Sequence, residues 1–315
     1  MDSWNALKRI EAGKVRKEMK SAVYKIGKVY IRIHKADEML MPENMKKFQV
    51  SEEEAREASV AMSYEVGFTE DIVELGNELF SHKISGKEAM RNNIRVFQTE
   101  TGECRFIYFI GHELPYAITL AENSGESGKM RVWFRRDCAH LLSHDTVFVS
   151  TLSLEKLMID TEAMIFHSAY MNYQNSAVLF SAPSETGKST QANLWEKYRG
   201  TYTVNGDRSL LIREKDGWYA YGWPICGTSE ICRNEVYPVR AIVMLKQAKE
   251  DKAYPLKGFQ AMREVMEQIT VNSWDTQFQI KVMDQLEILL SEVPVYRLEC
   301  DISEDAVKCL EELIG

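Results

Sequence analysis

Residues 177–195 constrain the fold more than any other stretch of this chain. Ala177-Val178-Leu179-Phe180 is an apolar run of strand length, SAPSETGKST at 181–190 ends in Gly187-Lys188-Ser189, and Gln191-Ala192-Asn193-Leu194-Trp195 reads as a helix. Strand, loop and helix in that order are the setting of a phosphate loop. Successive backbone N–H groups point inward and the helix N-terminus adds positive potential, so a di- or triphosphate can sit there. The expected nucleotide-binding residues are therefore Ala182, Pro183, Ser184, Glu185, Thr186, Gly187, Lys188, Ser189 and Thr190. Lys188 would meet the β/γ-phosphate oxygens and the Ser189 hydroxyl would ligate Mg²⁺.

The loop departs from GxxxxGK[ST] in two places. Ala182 replaces the first glycine, a small change if its φ stays negative. Glu185 stands where such loops often carry a second glycine, and a left-handed backbone at a non-glycine residue costs about 1–3 kcal/mol. A carboxylate about 6 Å from a phosphate charge adds roughly 3 kcal/mol of repulsion at an effective dielectric of 20. Turned outward into water, Glu185 would escape most of it. Nucleotide binding with reduced affinity is the expectation.

With 315 residues, 45% apolar and 27% charged, the chain has ordinary globular composition and room for two domains. The net charge of −8 lacks the basic footprint of a nucleic-acid binder. The short basic stretch Arg131–Arg136, interrupted by Trp133 and Phe134, reads as a strand with a solvated face. No apolar segment suggests export or membrane insertion, so a cytoplasmic protein without membrane partners is expected. The oligomeric state stays open, a homo-oligomer included. Six cysteines without CxxC spacing suggest neither a disulfide framework nor a zinc knuckle. Cys138, His140 and His144 are the nearest approach to a metal cluster and lack a fourth ligand.

Two domains are expected, 1–155 and 156–315, in an α/β chain whose N-terminal part is α+β. Residues 1–20 read as a charged helix or loose arm, Tyr24–His34 as a strand, and Ser51-Glu52-Glu53-Glu54 as a helix start. Ile94–Thr99, Cys104–Phe109 and Tyr116–Leu120 have β composition, with turns at Thr101-Gly102 and Asn123-Ser124-Gly125. The second domain opens with a helix at 151–159 and a strand at Met164–Met171 carrying His167. A turn at Asn172–Asn175 then leads into the phosphate-loop strand. Gly200 ends the loop helix, Pro238 introduces the strand Val239–Leu245, and helices at 257–270, 278–291 and 303–314 flank the strand Val293–Cys300.

Phosphoryl transfer also needs an acidic metal partner and a group that positions the acceptor. Asp207, in Val204-Asn205-Gly206-Asp207-Arg208, is the leading acid, able to ligate Mg²⁺ or to accept a hydroxyl proton. Asn-Gly-Asp also makes ordinary hairpin turns. His167 lies one hairpin before the loop, where it would reach the terminal phosphate or pack in the core. The segment GWPICGTSEICRN (222–234) crowds Thr228, Ser229, Glu230, Arg233 and Asn234 between two strands. It could close the site, Glu230 as a second metal-facing carboxylate and Arg233 as a charge clamp, or stay a solvated loop.

FHSAYMNYQNSAVLFSAPSETGKSTQANLW (166–195) resembles the core of the HPr kinase and PEP carboxykinase group, where a strand histidine precedes a hairpin and a phosphate loop. NGDRSLLI (205–212), GWPICGTSEICRN, PVRAIVMLKQA (238–248) and VPVYRLEC (293–300) resemble later elements of a bacterial HPr-kinase-like branch. Some of its members are associated with peptide natural-product clusters and include kinases acting on a serine of a lasso-peptide precursor. The resemblance covers about 160–315 and implies a P-loop core of mixed sheet and helices. It further implies an ATP- and Mg²⁺-dependent kinase acting on a serine or threonine hydroxyl of a peptide, protein or small molecule. On it, His167 matches the strand histidine, Lys188 and Ser189 the phosphate and metal residues, and Asp207 one member of an acidic pair. Gly206 stands in place of the other acid. A catalytically weak ATP-binding sensor or peptide-binding module is the alternative, and no oxaloacetate constellation supports a PEP-carboxykinase-like activity.

Overall fold

The computed structural model describes residues 19–70, 75, 77–82, 93–109, 112–122 and 128–315. The arm or helix expected over 1–20 lies outside the described residues up to residue 18, as does the turn Asn123-Ser124-Gly125. The chain divides into two units, the first ending at Leu154 and the second beginning at Glu155.

In the first unit the single strand expected over Tyr24–His34 is a hairpin, β1 (Met19–Ile26) and β2 (Val29–Ala36). Gly27, at φ +59°, supplies the left-handed residue that a two-residue turn needs, and Ile26 pairs with Val29. Helix α1 (Glu43–Lys46) follows, then α2 (Glu52–Glu57), which begins where Ser51 accepts the Glu54 N–H. Strands β3 (Val60–Thr69), β4 (Glu78–His82), β5 (Asn93–Gln98), β6 (Glu103–Tyr108), β7 (Ala117–Glu122) and β8 (Gly128–Arg135) complete an eight-stranded sheet. Its order is β1-β2-β3-β8-β7-β6-β5-β4, parallel only where β3 meets β2 and β8. Phe97, Phe106, Ile118 and Trp133 pack its core. The basic stretch in β8 is less solvated than its composition suggests: residues 132–134 are buried, and Arg131 pairs with Glu65 and Glu122. Beyond β8, residues 136–143 coil as a 3₁₀ segment before α3 (Asp145–Val149), so His140 and His144 do not share an α-helical face. No metal-type cluster of His, Cys, Asp and Glu forms among the described residues.

The second unit is a mixed α/β layer structure. After α4 (Leu154–Asp160) come β9 (Ala163–His167), β10 (Ala169–Tyr173), β11 (Ser176–Ser181) and helix α5 (Lys188–Arg199). There follow β12 (Tyr202–Asn205), β13 (Arg208–Glu214), β14 (Gly217–Tyr221), β15 (Val236–Gln247) and β16 (Lys252–Pro255). Helices α6 (Gly258–Met266) and α7 (Thr276–Glu292), strand β17 (Val295–Cys300) and helix α8 (Glu304–Ile314) end the chain. The main path runs β12-β10-β11-β15-β14-β13-β9, and β17 joins β15. β15 pairs in parallel with both β11 and β17.

The unbroken apolar runs of β11 and β15 follow from burial on both faces. Ala177, Leu179, Ile242 and Met244 enter a core closed by Val265, Phe278, Val282 and Leu286. Val178, Phe180, Ala241 and Val243 enter another with Trp195, Ala306 and Leu310. Gly200, at φ +64°, ends α5. Two expectations are corrected here. Met164–Met171 is not one strand: it breaks at Ser168, whose N–H donates to the Asp207 carbonyl at 3.0 Å and whose hydroxyl meets Ser209 at 2.9 Å. The break lets β9 pair with β13 while β10 pairs with β11 and β12. The helix expected over 257–270 ends at Met266: Gln268 and Ile269 still donate to Val265 and Met266, but the Gln268 carbonyl accepts the His167 N–H and the Thr270 N–H donates to Ile165, which draws the chain alongside β9.

Candidate active site

The carboxyl end of β11 delivers the chain into the loop, and parallel β15 and β17 end beside it, the edge where open α/β sheets place ligands. Ser181 anchors the start by donating to the His167 carbonyl at 2.6 Å. Gly187, at φ +108°, turns the chain into α5, a conformation that favours glycine. Glu185 sits at φ +64° and is exposed, so its backbone carries the left-handed strain while its carboxylate faces water. The electrostatic half of the expected penalty is thereby screened and the conformational half stays.

Lys188 is 8% exposed and folds its ammonium over its own loop, donating to the carbonyls of Ala182 (3.0 Å) and Pro183 (3.4 Å). Burial lowers its pKa, Asp207 partly restores it, and Arg208 lowers it further. The two carbonyls stand in for part of the hydration that this ammonium loses on burial.

Asp207 leaves a turn fixed by Asn205. The Asn205 amide oxygen accepts the N–H groups of Asp207 and Arg208, both at 2.9 Å, and its Nδ2 donates to the carbonyls of Trp223 (2.7 Å) and Ile225 (3.0 Å). Segment 222–234 wraps this turn: Gly206 N–H donates to Ile231 and Arg233 N–H to Val204. Asp207 Oδ1 lies 3.4 Å from His167 Nε2, and Oδ2 lies 3.3 Å from Arg208 Nε. Burial pushes the Asp207 carboxyl up, yet His167, Arg208 and Lys188 together hold it below its ordinary value of 3.8, so it stays ionised at neutral pH. His167 is oriented from behind by Gln268, which accepts its backbone N–H at 2.9 Å and meets Nδ1 at 3.2 Å.

The structure thus gathers His167, Lys188 and Asp207, with Ser189 in the first turn of α5. Glu230 is exposed, at φ +56° after the short turn Gly227–Ser229, and makes none of the cluster's contacts. Arg233 rests on the Tyr202 ring and donates to Thr203. Ser229 has a role of another kind: a Cβ on Gly206 would come within 1.8 Å of its Oγ and 2.4 Å of its Cβ, so position 206 has no room for a carboxylate.

Sequence reasoning missed Arg208, Gln268 and Thr270. Arg208 had a signal, its place beside Asp207. The other two had none, since they reach the site only because the chain leaves α6 early and runs along β9. Pro183, Leu245, Glu264, Gln268 and Arg297 also line an open groove of about 240 Å³ beside the loop. For Mg²⁺ the donors present, the Ser189 hydroxyl and one ionised carboxylate, suit a cation that takes few protein ligands and completes its shell with phosphate oxygens and water.

A solved structure, the Hpr(Ser) kinase/phosphatase from Coxiella burnetii, overlaps 48% of this chain and 87% of its own at 11% identity and a TM-score of 0.29. No curated protein matches the chain. No helix among the described residues is long and apolar enough to cross a membrane. The sequence model described as SynChlorMet cassette protein ScmC matches residues 146–314, more than half of the chain, a span that holds the 181–190 loop, His167 and Asp207. The chain belongs to the ScmC family.

Proposed function

We propose that this chain is an ATP- and Mg²⁺-dependent kinase with an HPr-kinase-like P-loop core, transferring the γ-phosphoryl group to a serine- or threonine-type hydroxyl of a peptide, protein or small molecule. One observation carries the reading: a buried lysine folds over the glycine-ended loop at the start of α5, and a strand histidine lies 3.4 Å from the aspartate of the neighbouring turn.

The acceptor oxygen attacks the γ-phosphorus, the bond from that phosphorus to the β–γ bridging oxygen breaks, and ADP departs. The loop amides and Lys188 hold the β- and γ-phosphates. Ser189 and Asp207 would hold Mg²⁺, which would supply positive charge to offset that on the transferring group. A carboxylate held this acidic is a weak base and a good cation ligand. That suffices in a loose transition state, where the hydroxyl proton leaves late and passes through Asp207 to solvent. His167 and Gln268 keep the carboxylate aimed.

A second reading, an ATP-binding sensor with little turnover, is favoured by Gly206, because Ser229 excludes a second acid beside Asp207. Purified protein with γ-labelled ATP, Mg²⁺ and a serine/threonine peptide library separates the two. Label transfer that disappears in Lys188→Ala and Asp207→Asn supports the kinase. Nucleotide binding without transfer to any acceptor, unchanged in Glu185→Gly, supports the sensor. A wild-type chain that binds no nucleotide defeats both.

A further inference from the structure

Arg208 is the one charged side chain of the cluster that the proposed chemistry leaves unused. It opens β13 directly opposite His167 in the β9–β13 register. Two contacts fix its guanidinium: Nε lies 3.3 Å from Asp207 Oδ2, and Nη1 donates to the Thr270 hydroxyl at 3.1 Å. The side chain is one-third exposed, and Nη2 has no protein partner among the described residues. Position 206 cannot hold a compensating carboxylate. Lys188 and Arg208 therefore bring two positive charges to a place where Asp207 supplies one negative charge. Two cations confined beside one carboxylate repel each other unless an anion joins them, and a guanidinium held at one edge presents its other edge in the planar geometry that phosphate oxygens accept.

We propose that Arg208 is a phosphate clamp specific for the terminal phosphate of a nucleoside triphosphate, positioned by Thr270 and Asp207. The inference rests on the phosphate-loop reading above and adds a role to it. The loop amides and Lys188 serve both ATP and ADP, whereas Arg208, lying on the Asp207 side of the site, meets only the phosphate that ADP lacks. The chain consequently discriminates triphosphate from diphosphate through this one residue.

The test is calorimetric binding of a non-hydrolysable ATP analogue and of ADP, each with Mg²⁺, to the full chain and to Arg208→Ala, Arg208→Lys and Thr270→Val. Arg208→Ala should weaken the triphosphate about 10- to 100-fold, the span of a charge-assisted hydrogen bond, and ADP less than about 2-fold. Arg208→Lys should recover part of the triphosphate affinity, and Thr270→Val should lose about 2- to 5-fold on the triphosphate alone. A residue needed only to support the strand would weaken both ligands together and lower the melting temperature. Equal losses for the two nucleotides, or none, with the wild type binding normally, overturn the clamp and leave the phosphate loop standing. A wild type that binds neither overturns both. Should Arg208→Ala fail to fold, the lysine and Thr270 variants decide by the same comparison of ligands.

Discussion

The 181–190 loop and the Asn205–Asp207 turn are both tight connections at strand ends, and they are built in opposite ways. The loop is shaped by its backbone: Gly187 turns it into α5, it is partly open to water, and it tolerates Glu185 in a strained conformation. The turn relies on side chains. Asn205 bonds four backbone groups, Ser229 fills the space at Gly206, and Asp207 is held by His167 and Arg208. On the proposed reading, binding therefore draws on backbone geometry plus the single Lys188 side chain, and chemistry on a turn held largely by side chains.

The largest effect should come from the turn. Asp207→Asn is expected to lower phosphoryl transfer about 10²- to 10⁴-fold while nucleotide affinity moves only a few-fold, read by labelled transfer alongside equilibrium binding. Equal losses in both would erase the contrast between turn and loop. The same variant tests linkage. Because the folded carboxyl titrates below 3.8, its stabilisation is present above that value and is lost as pH falls through the lowered one. Denaturant melts should show Asp207→Asn about 1.5–3 kcal/mol less stable at neutral pH, the gap closing in acid.

Next in size is Lys188→Ala, expected to weaken ATP and ADP alike by about 10- to 100-fold. If the ammonium binds phosphate as proposed, its pKa, below the ordinary 10.5, means wild-type affinity should fall as pH rises through the lowered value, before an ordinary lysine would titrate. Lys188→Arg should lack that alkaline limb.

Gly206→Asp should fail as a repair. Overpacking against Ser229 is expected to cost about 1–3 kcal/mol in thermal melts, and Ser229→Gly in the same chain should recover most of it. An acid accepted at 206 without loss would show that the turn yields as readily as the loop. The smallest effect belongs to Glu185→Gly, expected to raise ATP affinity by no more than about 5-fold, since the carboxylate already faces water and only backbone strain of about 1 kcal/mol is relieved.

Legibility followed the range of the interactions. The apolar run at 177–180, the GKS triplet and the Gly200 stop each act over a few residues, so strand, loop and helix could be read directly. The Met164–Met171 break could not, because Ser168 bends away for partners near residue 208. Helix α6 looked longer than it is for the same reason: after its last turn the Gln268 carbonyl and the Thr270 N–H pair with β9, about a hundred residues earlier. Gln268 and Thr270 enter the site through that exchange, and no local pattern marks them. Gly206 read as a missing acid; its contact with Ser229 shows a position packed shut.

By itself the sequence determined the strand, turn and helix over 177–199, since hydrophobic period and glycine placement dictate them without help from distant residues. Only the tertiary structure decided that Lys188, Asp207, His167 and Arg208 share one electrostatic field, because the energy of a charge depends on neighbours in space, and those neighbours are assembled by sheet pairings that local propensity does not encode.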